Sequence, residues 1–217
     1  MDKVLPMKTY AQLRRTLTET PLPDAWDKSI FNTTTPFEDQ VEYAKVRASQ
    51  IGSGSARVAF IIPYEGRDTV LKIAKNQRGH GQNEAEASIM SSTSRLSPMA
   101  KRFIVPMIDY DNTSRVPTWI HTEYGTPVTD KDFINKYGEW PGELMEYVNY
   151  GLASKQWNDP NHVHDYPDIV RAVCEIRVVY DVVTDDLSLA ENWGMYRGQF
   201  VIIDLGLTEK VWSDWYT

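Results

Sequence analysis

The sequence predicts an α+β fold with a strand-rich N-terminal lobe (N-lobe) and a short, mainly helical C-terminal lobe (C-lobe). Between residues 41 and 124, short apolar runs rich in β-branched residues alternate with turn-forming residues. Beyond residue 124 the apolar residues recur at helical spacing. We therefore expect a five-stranded antiparallel N-lobe with one helix over 41–124, a reduced C-lobe over 125–217, and an ordered arm over 1–40.

The N-lobe begins with a predicted hairpin. The runs 58–63 and 69–74 flank Glu65 and Gly66, which are typical of a tight turn. A helix should follow over 83–91. The remaining strands are predicted ahead of Gly52 and over 102–110 and 117–124.

The C-lobe should contain three helices and a final hairpin. Two helices are expected over 130–136 and 142–155, and a third should be capped by Asp165 with Pro167 in its first turn. The hairpin over 192–204 should turn at Arg197 and Gly198.

Composition limits the classes of function. With 41% hydrophobic residues in 217, the chain can bury a core, and a net charge of −7 argues against nucleic acid as the main partner. The single Cys174 suits a reducing compartment, and neither a signal-peptide h-region nor an apolar span is visible. We expect a cytoplasmic protein without membrane contact. The pair His162 and His164 lacks a third metal ligand nearby, which favours a solvated loop.

A glycine-rich turn is the first segment that points to chemistry. Gly52, Ser53, Gly54 and Ser55 stand between two predicted strands, where small residues let backbone N–H groups approach phosphates. A simple tight hairpin is the alternative. Arg57 stands where a G-x-G-x-x-G pattern has its third glycine.

A lysine in the next strand is the second such segment. Lys72 is flanked by apolar residues, so its charge needs a partner. The following helix carries Glu84 and Glu86, which point about 200° apart. Glu86 shares its face with Ile89 and Met90, so it is the predicted partner, and a solvated helical glutamate is the alternative.

Two acidic segments follow later in the chain. Asp186 and Asn192 suit an aspartate that acts on an acceptor hydroxyl and an asparagine that holds a metal ion. Asp204 ends an apolar strand and precedes Gly206, as expected of a ligand for Mg²⁺ between phosphates. The alternative for both segments is a set of turn and capping residues.

Taken together, these motifs are specific because their order, spacing and context agree. The chain resembles the protein-kinase-like superfamily, and within it the small kinase-like proteins of tailed bacteriophages. The phrases that carry this resemblance are IGSGSARVAF, LKIAKN, QNEAE and DDLSLAENWGMYRGQFVIIDLGLTEKV. It spans roughly residue 44 to the C-terminus and leaves the arm uncovered.

The resemblance implies ATP and Mg²⁺ as cofactors. Catalytic roles would fall to Asp186, Lys72 and Glu86, and metal binding to Asn192 and Asp204. Nucleotide contacts would come from Lys72, from the glycine-rich residues 52–55 and from Glu123 in the hinge between the lobes, with Thr122 as gatekeeper.

The sequence also departs from the superfamily pattern. Asp186 precedes Asn192 by six positions rather than five, and only eleven residues follow Gly206, so a platform for protein substrates is not expected. These departures favour a pseudokinase-type interaction or structural module. The alternative is an active Mg-ATP-dependent phosphotransferase that acts on a small molecule or a specific partner.

The partner that the resemblance implies is a host or virion protein, in host cytoplasm or in the virion. We expect it to dock on an apolar patch that contains some of Trp193, Trp212 and Trp215, because tryptophan is favoured in interface hot spots.

Overall fold

A computed structural model describes residues 22–23, 25–154 and 167–217. The fold is a mixture of helices and strands, and it contains a five-stranded antiparallel sheet, as predicted. The strands are β1 Ser49–Ser53, β2 Arg57–Tyr64, β3 Arg67–Ala74, β4 Met107–Tyr110, β5 Trp119–Glu123, β6 Thr126–Pro127, β7 Trp193–Tyr196 and β8 Gln199–Ile202. The α-helices in the described residues are α1 Phe37–Lys45, α2 Gln77–Ser91, α3 Pro98–Lys101, α4 Asp130–Tyr137, α5 Pro141–Ser154, α6 Asp168–Tyr180, α7 Thr184–Leu187 and α8 Glu209–Trp215.

The larger sheet has the strand order β1-β2-β3-β5-β4. The predicted hairpin between β2 and β3 is confirmed, and Glu65 and Gly66 both take positive φ angles in its turn. Such angles belong to the tight turns whose twist matches that of the flanking strands. The central position of β3 places Lys72 between Ala59 of β2 and Ile120 of β5.

The smaller sheet joins β6, β7 and β8 in that order. Its β7–β8 hairpin turns at Arg197 and Gly198, with φ angles of 50° and 78°, as the sequence predicts. Because β8 runs directly into Asp204, this hairpin delivers the carboxylate to the junction of the two sheets.

Two hydrophobic cores support these sheets. The N-terminal core combines β2 and β3 with Leu22, Trp26 and Phe31, which lie in the predicted arm. The C-terminal core is built mainly from α4, α5, α6 and β8, and it also takes in Ile89 and Met90 of α2. Helix α2 is therefore held by both parts of the fold.

Helix α8 packs on α2 at an unusually close approach. A Cβ atom at Gly81 would lie 2.8 Å from Nε1 of Trp215, so a larger residue there would displace the indole ring. Gln82 Nε2 donates a hydrogen bond of 3.0 Å to the hydroxyl of Tyr216, and the guanidinium of Arg78 lies 4.3 Å from the centre of the Tyr216 ring.

Three local predictions were wrong. Helix α2 begins at Gln77 rather than residue 83, because the side chain of Asn76 accepts a hydrogen bond from Gly79 N and caps the helix. The predicted strand over 102–110 starts only at Met107, because Ile104 leaves the sheet to bridge Ile202 of β8.

The third error is in α6, where Pro167 is the N-cap and the helix begins at Asp168. The helices predicted over 130–136 and 142–155 are present within one residue at each end.

Some predictions fall on residues outside the described ranges. They concern most of the arm up to residue 21, the pair His162 and His164, and Asp165 as a cap. Within the described residues, no helix is long and apolar enough to cross a membrane.

Candidate functional site

The predicted ion pair between Lys72 and Glu86 is present at the centre of the fold. Lys72 Nζ lies 2.6 Å from Glu86 Oε1 and also donates to the backbone carbonyl of Ile203 at 2.6 Å. Lys72 is 6% exposed and Glu86 is fully buried, whereas Glu84 on the same helix is exposed. One lysine thus joins β3, α2 and the segment after β8.

Arg57 is a second cation in this cluster, and the sequence analysis did not assign it a role. Its Nη1 donates to Glu86 Oε2 at 2.5 Å and its Nη2 donates to Asp204 Oδ1. Burial alone would lower the pKa of Arg57, but the carboxylates of Asp204 and Glu86 outweigh it and raise the pKa above its usual value. Arg57 therefore connects the two carboxylates.

Asn83 completes the buried face of α2. Its Oδ1 accepts a hydrogen bond from Arg57 Nη1 at 3.3 Å, and its Nδ2 donates to the carbonyl of Pro117. Asn83 lies three residues before Glu86, so both project from the same face. This spacing is the signal by which the sequence could have revealed Asn83.

Asp204 lies at the edge of the same cluster, with 38% of its side chain exposed. Its Oδ1 also accepts a hydrogen bond of 3.2 Å from Gly206 N. Burial alone would raise the pKa of Asp204, but Arg57 and Lys72 outweigh it and lower the pKa to about 2. The carboxylate is therefore charged throughout the physiological pH range.

Asp186 and Asn192 lie together, close enough to Asp204 for the charges of Asp186 and Asp204 to interact. Asn192 Nδ2 donates to the backbone carbonyl of Asp186 at 2.7 Å, which ties the two ends of the loop despite its extra residue. Burial, followed by the charge of Asp204, raises the pKa of Asp186 to about 6. Because Asp186 responds to the charges of Asp204 and Arg57, it belongs to the same cleft.

The glycine-rich turn is exposed, and side chains that follow β3 donate hydrogen bonds to it. Lys75 Nζ donates to Ser53 Oγ at 3.1 Å and to the carbonyl of Gly54 at 2.8 Å, and Asn76 Nδ2 donates to the carbonyl of Ser55 at 2.9 Å. A Cβ atom at Gly54 would meet nothing nearer than 4.0 Å. Neither packing nor a positive φ angle therefore requires glycine at this position.

The two hinge residues occupy different surroundings. Thr122 is buried in β5 opposite Val70. The carboxylate of Glu123 accepts two hydrogen bonds from Arg67, at 3.1 Å and 2.9 Å. The side chain of Glu123 is thus engaged at the surface rather than with the Lys72 cluster.

Of the three tryptophans named for the predicted docking patch, the structure leaves two at the surface. Trp193 is fully buried, where it packs edge-on against Phe133 and donates its indole N–H to the carbonyl of Leu187 at 2.8 Å. Trp212 and Trp215 are 43% and 40% exposed. They lie on α8, and Trp193 cannot share a surface patch with them.

Comparison with protein-family models finds no match to this chain, and comparison with curated proteins finds none at the significance required.

Proposed function

We propose that this chain is a protein-kinase-like, nucleotide-binding fold that serves as a pseudokinase-type interaction or structural module. The observation that carries the proposal is the position of Lys72, whose ammonium joins β3, Glu86 of α2 and the carbonyl of Ile203. A lysine held in this way is oriented to bind the α and β phosphates of a nucleotide.

The surroundings of Lys72 support nucleotide binding. The exposed glycine-rich turn between β1 and β2 precedes the strand of Lys72, and packing explains neither Gly52 nor Gly54. Small residues there leave the backbone open to a closely approaching ligand, although Gly52 also lies where the β1–β2 register is irregular.

The apolar surroundings add a place for a base. Ile51 in the middle of β1 is 47% exposed. A Cβ atom at Gly125 would lie 2.8 Å from Ile203 Cγ2, and one at Gly194 would lie 2.9 Å from the same atom. Gly125 and Gly194 therefore pack closely against Ile203, and we propose that this apolar contact lies beneath the base of the nucleotide.

The choice of a module over a transferase rests on Asp204. Phosphoryl transfer needs this carboxylate for a metal ion, and here it is bound by Arg57. The active phosphotransferase is the second candidate, because Asp186 has a pKa of about 6 and could act as a base near neutral pH. In that case Asn192 and Asp204 would hold Mg²⁺, and Arg57 would have to release Asp204 first.

A role in protein interaction is supported by aromatic side chains on the C-lobe surface. Trp140, Tyr147 and Tyr150 are 51%, 39% and 59% exposed, and they follow the length of α5. Exposed aromatic residues of this size are enriched at protein interfaces. The resemblance to phage proteins makes a host or virion protein the proposed partner.

Titration with a fluorescent ATP analogue tests nucleotide binding. We expect saturable binding by the wild type and its loss in Lys72→Met, because the analogue's phosphates lose their cation. Lys45→Met is the matched control, since Lys45 is an exposed lysine paired only with Glu42 on α1. Equal binding by the two variants, or no binding by the wild type, would contradict the proposal.

Radiolabelled ATP separates the two candidate functions. The module predicts no transfer to casein-like or lysate substrates. Robust transfer that disappears in Lys72→Met but persists in Lys45→Met would establish the phosphotransferase instead.

A further inference from the structure

Arg57 is the most unusual feature of the cleft, because it binds two carboxylates from segments far apart in the sequence. It lies 29 residues from Glu86 and 147 residues from Asp204, and it bonds to both. Only 7% of Arg57 is exposed, so the guanidinium is part of the buried structure rather than a surface side chain.

The charges of this cluster balance without an added ion. Lys72 and Arg57 supply two positive charges, and Glu86 and Asp204 supply two negative charges. Burying a charge is costly unless a partner compensates it. The charges of these four side chains cancel one another, and Asp186 is a further carboxylate nearby, where burial and the charge of Asp204 raise its pKa to about 6.

The backbone around Arg57 is shaped to receive it. A Cβ atom at Gly206 would lie 2.9 Å from Arg57 Nη2 and 3.1 Å from Arg57 Cζ. A side chain at position 206 would therefore displace the guanidinium from its present place above the turn. Asn83 Oδ1 accepts a further hydrogen bond from Nη1. The guanidinium therefore occupies a built site with donors matched to acceptors.

A divalent cation does not fit this arrangement. Asp204 Oδ1 already accepts hydrogen bonds from Arg57 and from Gly206 N. An ion on the same carboxylate would stand a few ångströms from the guanidinium, where like charges repel strongly. Among the described residues, no group of three His, Cys, Asp or Glu side chains could hold a metal ion.

We infer that Arg57 takes the place of a divalent cation at Asp204, so that the cleft binds the phosphates of a nucleotide without metal. An uncompensated carboxylate at position 204 would repel phosphates, and Arg57 removes this repulsion as Mg²⁺ would. Lys72 remains the side chain that touches the phosphates. This inference rests on the proposed function for the nucleotide, but its claim about Asp204 can be tested with metal alone.

Binding of Mn²⁺ in the absence of nucleotide, followed by electron paramagnetic resonance, tests the claim about Asp204. Mn²⁺ prefers the same oxygen ligands as Mg²⁺. We expect no Mn²⁺ site in the wild type. Arg57→Met should bind Mn²⁺ at least about tenfold more tightly than any residual binding by the wild type. This site should disappear in the double variant Arg57→Met/Asp204→Asn. Arg47→Met, which removes an exposed arginine stacked on Tyr43, is the control.

The wild-type titration does not depend on whether Arg57→Met folds. A Mn²⁺ site in the wild type that Asp204→Asn removes would overturn the inference. Failure of folded Arg57→Met to gain a site would overturn it as well. Should Arg57→Met not fold, Arg57→Lys keeps the charge and should still exclude Mn²⁺, and a Mn²⁺ site in this variant would contradict the charge argument.

The nucleotide arm uses the fluorescent ATP analogue with either EDTA or Mg²⁺. The wild-type affinity should differ by less than about twofold between the two conditions, and that of Arg57→Met should rise about tenfold with Mg²⁺. Wild-type binding that requires Mg²⁺ would refute metal-free binding. Absence of nucleotide binding in every variant, alongside the expected Mn²⁺ results, would refute the proposed function but leave Arg57 as the cation at Asp204.

Discussion

Glu86 should be the most costly single side chain to neutralise in the N-lobe, and Glu86→Gln tests this. The substitution keeps the size of the side chain but removes the charge that compensates two buried cations. Lys72 Nζ and Arg57 Nη1 lie 2.6 Å and 2.5 Å from its two oxygens. The amide that replaces one oxygen would direct N–H groups at a cation. We expect the free energy of unfolding to fall by about 3–5 kcal/mol, the usual cost of removing one partner of a buried pair.

The measurement is equilibrium unfolding in urea, followed by tryptophan fluorescence. The melting temperature should fall by roughly 6–20 °C as well, given the size of the chain. Glu84→Gln is a matched control, because Glu84 is exposed on the same helix two residues earlier. It should unfold like the wild type. If Glu86→Gln lost no more stability than Glu84→Gln, the account of the buried cluster would be refuted.

Two further predictions concern stability away from the phosphate-binding side chains. Gly79→Ala should lower the free energy of unfolding by about 3 kcal/mol, because its Cβ would lie 2.2 Å from the carbonyl oxygen of Ala56. The control is Gly142→Ala, whose Cβ meets no atom closer than 3.9 Å and which should have a melting temperature no lower than that of the wild type. Equal melting temperatures of the two variants would count against the steric argument. Burial alone would raise the pKa of Asp111, but hydrogen bonds from Ser114, Thr118 and other groups outweigh burial and lower the pKa. The ionised Asp111 therefore stabilises the fold above the unfolded-state pKa of about 3.9, and this stabilisation is lost as the pH falls through the pKa of Asp111 in the folded protein. The gap in unfolding free energy between the wild type and Asp111→Asn should therefore narrow below about pH 4, and a gap independent of pH would contradict the hydrogen-bond explanation.

The sequence predicted those features that depend on local geometry. Gly66 and Gly198 mark turns because few other residues adopt a positive φ angle, and the structure has both turns. Glu86 was preferred over Glu84 because of the helical face it shares with Ile89, and only Glu86 is buried with Lys72. In each case, residues close in sequence contained the whole signal.

The features that the sequence analysis missed depend on contacts between distant segments. Arg57 was interpreted as a missing glycine, because nothing near it in the sequence shows that Asp204 will lie beside it. Trp193 was one of three candidates for a surface patch, but Phe133 and the carbonyl of Leu187 give its ring and N–H a buried environment. Residue type alone cannot predict burial when the partners come from elsewhere in the chain.

The contact between α8 and α2 makes the cleft sensitive to a distant surface. Arg78, Gln82 and Glu86 recur at intervals of four along α2 and so lie on one side of it. The first two contact Tyr216, just beyond α8, and the third binds Lys72. A rotation of α2 about its axis would disturb both ends of this row together. If the proposed nucleotide rotated α2 on binding, the docking of α8 would change as well, and the two effects on each other would be equal.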